Sequence, residues 1–173
     1  MKTNRINHVS RRSVLRIALA SVSTAGLSFP MIVHGRSAHP SITVWKTPTC
    51  GCCKQWVAHL QKNGFEVATN DVNDTSAIRK KLGFPDQYGS CHTAKLGEYV
   101  IEGHVPAEDI RKLLKDKPQA RGLAVPSMPL GSPGMEGTGP FAGMRHAYDV
   151  LLVLNDGNAR VFKSYTAISP DKS

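Results

Sequence analysis

The sequence predicts an α/β domain of order β-α-β-α-β-β-α, extended at its C-terminal end by a Gly/Pro/Met-rich loop and an extra β-hairpin. Three observations predict it. Runs rich in β-branched and aromatic residues alternate with segments whose apolar residues recur every three or four positions. Gly and Pro punctuate the ends of these segments rather than their interiors. The last third then changes character: Pro118 to Arg145 is rich in Gly, Pro and Met, and an apolar run, a turn and a second β-rich run follow it.

Residues 1–38 read as a signal peptide and residues 39–173 as a single domain. Ser10-Arg11-Arg12-Ser13-Val14-Leu15-Arg16 is a twin-arginine sequence, followed by a mildly apolar stretch from Ile17 to Val33 and then by small residues. This pattern predicts export to the periplasm by the twin-arginine route, with cleavage between Gly35 and His39. Pro30 and the many small polar residues argue against a stable membrane span. The first 38 residues hold six Lys/Arg and no acidic residue, which leaves sixteen basic against thirteen acidic residues, a net of +3, in the remainder. The high pI is thus largely a targeting effect, and nucleic-acid binding loses its main support.

The domain opens with Ser41-Ile42-Thr43-Val44-Trp45-Lys46, a β-rich run and the first strand. Cys53, Trp56, Val57 and Leu60 recur as the apolar stripe of a first helix, which Gly64 is placed to end. Phe65 to Thr69 alternates as a second strand. Asp74 or Thr75 caps a short helix containing Ile78 and Leu82 and closed by Gly83. Cys91 to Leu96 and Tyr99 to Glu102 form two strands joined at Gly97-Glu98. A third helix follows, with Pro106 in its first turn, Glu108 and Asp109 at its positive end, and Lys112 and Lys115 toward its negative end. Pro118 to Arg145 is expected as a long loop, too long to be idle in a compact domain. Asp149 to Leu154 and Ala159 to Tyr165 pair through the turn Asn155-Asp156-Gly157-Asn158.

Chemistry concentrates in Thr47-Pro48-Thr49-Cys50-Gly51-Cys52-Cys53, which holds three of the four cysteines; the fourth is Cys91. A helix N-terminus stabilises negative charge, so thiols placed there shift toward thiolate. Two chemistries then compete. A redox site would use Cys50 as the attacking thiol and Cys53 as the resolving one. A soft-metal site would use Cys50, Cys52, Cys53 and Cys91, and the third clustered thiol favours it, because a spare thiol beside a redox pair invites disulfide scrambling. Thiolates suit Cu(I), zinc or an iron–sulfur cluster. Met128, Met135 and Met144 in the long loop lean toward Cu(I), since thioethers do little for zinc. A passive module stapled by zinc or disulfides is the third reading, though structural zinc wants two well-spaced ligand pairs.

Among the histidines, His92 beside Cys91 is the best further ligand. His59 is expected to be structural or exposed, His104 to begin the third helix with metal closure as its alternative, and His146 is ambiguous. Met128 and Met135 are secondary ligand candidates. There is no phosphate-binding loop, dinucleotide glycine fingerprint, nucleophile elbow or paired-carboxylate pattern.

The element order, with cysteines between the first strand and the first helix, resembles the thioredoxin fold. Cys91-His92-Thr93-Ala94 then takes the place of the Pro-Thr loop of glutaredoxin-like proteins, which implies that Cys91 lies near Cys50. His92 stands where those proteins carry proline, a departure that bears on their substrate-thiol groove.

Four segments together resemble the domain of unknown function 411 family, the CopG-type proteins. They are the cysteine loop, Ser90-Cys91-His92-Thr93-Ala94, Val100-Ile101-Glu102-Gly103-His104-Val105-Pro106-Ala107, and Val125-Pro126-Ser127-Met128-Pro129-Leu130-Gly131-Ser132-Pro133-Gly134-Met135-Glu136. Ser127 stands where the family is expected to have glycine. The resemblance implies a periplasmic thioredoxin-like domain that binds copper through its cysteines, in a multinuclear cluster or otherwise. It also implies a role in copper tolerance, by sequestering, relaying or redox-cycling copper, with electron transfer to or from copper as one option and other periplasmic copper-handling proteins as partners.

Overall fold

The computed structural model describes residues 39–169, and the expected signal lies outside them. The elements are β1 (Ser41–Lys46), α1 (Gly51–Lys62), β2 (Glu66–Asp71), α2 (Thr75–Lys81), β3 (His92–Leu96), β4 (Tyr99–Gly103), α3 (Ala107–Asp116), β5 (Gly122–Val125), β6 (Tyr148–Val153) and β7 (Ala159–Tyr165). All strands join one seven-stranded sheet of order β2-β1-β3-β4-β5-β6-β7. β1 pairs parallel with β2, and β4 parallel with β5; the other neighbours are antiparallel.

The local signals account for most boundaries. The buried residues of α1 are Cys53, Trp56, Val57 and Leu60, the stripe that its spacing predicts. Gly64 adopts φ +75, and its N–H closes the helix on the Gln61 carbonyl. Asp74 caps α2 by accepting from the Ser76 N–H at 2.8 Å. β3 and β4 turn at Gly97, with φ +56.

Each face of the sheet is covered. Ile101, Leu123 and Leu152 join Trp56, Leu60, Ile110 and Leu113 in the main core, beneath α1 and α3. Their strand neighbours Val100, Ala124 and Val153 join Phe84 in a second cluster. The period-2 alternation of a strand sends successive side chains to opposite faces. Among the described residues no helix is long and apolar enough to cross a membrane.

One expectation is corrected. Pro118 to Arg145 is not loop throughout, because Gly122–Val125 forms β5, paired to both β4 and β6. All four of its residues are buried. A short strand covered on both faces has no polar alternation to announce it. Through β5 the C-terminal hairpin becomes part of the main sheet.

Candidate metal centre

The first turn of α1 brings three sulfurs together. Cys50 is the N-cap, and its Sγ accepts from the Cys53 N–H at 3.3 Å. Cys50 and Cys53 form a disulfide. Cys52, a free thiol, lies beside it, with Sγ 3.5 Å from that of Cys50. Cys53 is buried, while Cys50 and Cys52 are half-buried.

Cys91 arrives from the neighbouring strand of β1. It precedes β3, and the Cys53 Sγ lies 3.8 Å from its carbonyl oxygen. The sulfurs of Cys50, Cys52, Cys53 and Cys91 all lie within 4.8 Å of one another. The spatial closeness of Cys91 to the cysteine loop is therefore present. Cys91 does not share the helix-terminus effect expected of the loop thiols: burial pushes its thiol up to about 12, and the neighbouring Cys52 adds to the rise.

Two buried imidazoles flank the Cys91 sulfur. His92 Nδ1 is 3.2 Å away and His104 Nε2 is 3.1 Å away. Both histidines are completely buried. The His92 ring packs on Trp56 with centroids 4.3 Å apart and meets the His104 ring at 5.0 Å, edge to face. Trp56 is itself fixed, donating from Nε1 to the Val105 carbonyl at 2.9 Å. Burial lowers the pKa of both imidazoles, that of His92 to about 3 with His104 as a second cause. Neutral rings are the ligating form.

His104 is the site residue that sequence reasoning undervalued: it precedes α3 but faces Cys91 rather than serving the helix. The signal lies in the β3–β4 register. Thr93 pairs with Glu102 and Ala94 with Ile101, so the register carried two residues further sets Cys91 opposite His104. Glu102 holds these strand ends in place. Its buried carboxylate accepts from Arg79 Nη1 at 2.8 Å, the Ser90 N–H at 2.7 Å and Thr93 Oγ1 at 2.7 Å. Burial pushes its pKa up to about 7.

The loop after β5 closes over the site. Pro133 offers its carbonyl to His104 Nδ1 at 2.8 Å. At Gly134, with φ +83, a Cβ would come 2.7 Å from the Cys52 carbonyl oxygen and 2.7 Å from the Trp56 nitrogen. The segment that is too long to be an idle loop thus packs against the first turn of α1 and against His104. Met135 shares with Cys52 an open cleft of about 400 Å³, which Leu130 and Phe141 also line. Met128 is 40% exposed, beyond the C-terminal end of β5. His146 is exposed. His59 is structural, as its Nε2 accepts from the Ala107 N–H at 3.1 Å.

The DUF411 family, described as a protein of unknown function, matches residues 88–135. That span takes in Cys91, His92, His104 and the closing loop. Two solved structures are similar over most of the chain. Copper resistance protein copG, form 2, is 42% identical, with 73% of this chain and 98% of that one covered and a TM-score of 0.68. Form 1 is 43% identical, with 74% and 99% covered and a TM-score of 0.68. No curated protein matches the chain.

Proposed function

This chain belongs to the DUF411 family of CopG-type proteins, and from that premise we propose that it binds copper in the periplasm through Cys50, Cys52, Cys53 and Cys91, contributing to copper tolerance. The observation that carries the reading is four sulfurs within 4.8 Å of one another. Thiolates in that number and spacing favour Cu(I) over harder ions and allow bridging of more than one ion. Reduction of the Cys50–Cys53 disulfide by an external dithiol, itself oxidised to a disulfide in the exchange, frees the two sulfurs that the full set needs. The α1 N-terminus then supports their negative charge, while Trp56 and the 126–136 loop keep water from one side. Met135, in the cleft beside Cys52, is the better placed of the two methionine candidates, and Met128 the more exposed.

The order β2-β1-β3-β4, with β1 parallel to β2 and β3 antiparallel to β1, supports a thioredoxin-like core to which β5–β7 are added. The twin-arginine sequence supports export. Copper ions are the cargo, and other periplasmic copper-handling proteins the partners that would supply or accept them.

A second reading has its own observation. The disulfide joins a half-buried Cys50 to a buried Cys53, as a thiol–disulfide oxidoreductase would require.

Anaerobic titration of the reduced chain with Cu(I) against a competing chelator separates the two. The copper site predicts tight uptake of one or more ions per chain by elemental analysis, sharply reduced in Cys52→Ser. Weak uptake together with disulfide turnover that survives Cys52→Ser would leave the oxidoreductase standing instead.

A further inference from the structure

We propose that the cavity between the start of α3 and the β6–β7 hairpin binds a free α-amino acid, whose carboxylate is taken by Arg145 and Tyr148 and whose ammonium group is taken by Glu108. The cavity holds about 270 Å³. Ligand pockets run from about 300 to 1,000 Å³, so this one suits a molecule of amino-acid size and is too small for a nucleotide. None of its lining residues is a cysteine, His92 or His104, so it is distinct from the sulfur centre.

Arg145 is a cation held in place with its fork open. Its backbone pairs with Ile168 through bonds of 2.9 and 2.8 Å. On its other side the chain at Gly131, with φ +78, packs so close that a Cβ there would come 2.7 Å from the Arg145 Cβ. The side chain is ordered as well. Its Nε donates to the Thr166 carbonyl at 2.8 Å, and the guanidinium lies over the Tyr165 ring, 5.5 Å from the centroid. Neither Nη has a hydrogen-bond partner among the described residues. A guanidinium fixed through Nε and through its flat face keeps two nitrogens for a carboxylate. Ordering it in advance lowers the cost of binding.

Tyr148 adds a second donor at the carboxylate end. Its ring stacks on Tyr165 with centroids 4.7 Å apart and an interplanar angle of 10°. Its hydroxyl meets no hydrogen-bond partner among the described residues. Burial pushes this phenol up to about 12 against the pull of Arg145, so it keeps its proton and donates. The opposite end is Glu108. Its Oε1 accepts from Lys163 at 2.5 Å and from the Tyr165 hydroxyl at 2.7 Å, which leaves Oε2 as the open acceptor. Tyr165 thus anchors both charges, Arg145 over its ring and Glu108 at its hydroxyl. His59 adds none, because burial lowers its pKa and its Nε2 accepts the Ala107 N–H. These charges select the ligand class. A plain anion would bring a carboxylate toward Glu108, and a plain amine would bring a cation toward Arg145. A zwitterion sets each charge opposite its complement, while Pro106, Pro133 and the two tyrosine rings cover an apolar side chain.

L-Phenylalanine is the probe, titrated into the isotope-labelled full chain and followed by its amide NMR shifts. Saturable shifts are expected at Ala107, Glu108 and Arg145. Hydrocinnamate lacks the ammonium group and phenethylamine lacks the carboxylate. Each should bind at least about tenfold more weakly, the worth of one charge-assisted hydrogen bond. Arg145→Gln should weaken phenylalanine binding by a similar factor, and Tyr148→Phe, which keeps the stack, by about fivefold. No saturable shift at millimolar phenylalanine overturns the proposal. So does equal affinity for either analogue, or equal affinity in Arg145→Gln. Should Arg145→Gln fail to fold, Tyr148→Phe decides alone, and unchanged affinity in it is the overturning result. The site needs no metal, so a failure of Cu(I) uptake removes the copper reading and leaves this one standing.

Discussion

The N-terminus of α1 carries no acidic residue in its first turn, whereas that of α3 carries Glu108 and Asp109. Both helix ends present unpaired N–H groups and a partial positive charge of about half a unit. At α3 that charge is met within the protein. Two carboxylates sit on the first turn, Lys163 and Tyr165 bind them from β7, and the His59 imidazole accepts the Ala107 N–H. At α1 the only side-chain cap is the Cys50 sulfur, and the residues that follow are Gly51, Cys52 and Cys53. One end is closed by its own charges. The other is left for sulfur, and Cys91 and two imidazoles converge on it. The same backbone device thus serves anchoring in one place and chemistry in the other.

The comparison breaks most completely if α1 loses its grip on the strand ends. Trp56 provides that grip through complete burial, the Val105 hydrogen bond and the His92 contact. Trp56→Ala is expected to cost about 3–5 kcal/mol, measured by the urea midpoint. It should also loosen the sulfurs, since it removes the ring on which His92 packs and the bond that ties α1 to Val105. A loss under about 1 kcal/mol would mean that α1 is held by the rest of its stripe, and that the site does not depend on this contact.

Much of this was legible in the chain, and the parts that were not share a cause. Helix α1 and its cysteines follow from spacing within a dozen residues, so the stripe from Cys53 to Leu60 and the sulfur cap could be read directly. The closeness of Cys91 followed from a fold resemblance. His104 required a register, which a hairpin centred on Gly97-Glu98 contains but which a motif search along the sequence does not weigh. β5 was hidden because its four residues are buried on both faces and sit in Gly/Pro-rich surroundings. Local periodicity announces amphipathic elements; it is silent on strands without a wet face and on residues that meet across strands. The disulfide between Cys50 and Cys53 fits the CxxC spacing of the alternative redox reading, whereas the third thiol crowded beside that pair favours metal ligation.

A smaller perturbation sharpens the contrast from the loop side. Gly134 lies against the first turn of α1, where a Cβ would meet backbone atoms of Cys52 and Trp56 at 2.7 Å, and its φ is +83. Gly134→Ala is therefore expected to lift the 126–136 loop and cost about 2 kcal/mol. Because Pro133 also orients His104 beside Cys91, the same change should loosen that contact as well as the cover over Cys52. The measurement is the alkylation rate of Cys52 alongside thermal unfolding. Faster alkylation with a lowered midpoint is expected. An unchanged alkylation rate would show that the loop covers α1 without shielding its free thiol.

The finest test concerns the closed end, at α3. Burial raises the pKa of Asp109, with Glu108 adding to the rise, while Tyr165 and Lys163 oppose it. The Lys163 and Tyr165 hydrogen bonds lower that of Glu108. The two neighbours therefore act on stability with opposite signs. A raised carboxyl binds its proton more tightly in the folded state, so the stability Asp109 contributes is full below its unfolded value of 3.8 and is lost as pH rises through the folded one. The lowered Glu108 contributes above its unfolded value of 4.5, and that contribution is lost as pH falls through the folded one. Asp109→Asn keeps an acceptor for the Tyr165 hydroxyl and removes the titration, so it should gain on the parent chain as pH rises through the carboxylate range, by less than about 1 kcal/mol. Glu108→Gln should lose ground over the same range. Chemical denaturation at several pH values reads both slopes. Slopes of the same sign would mean that Asp109 and Glu108 share one environment, and that the charge at the start of α3 is neutralised by solvent rather than by the protein. The distinction drawn between the two helix ends would then rest on the sulfur side alone.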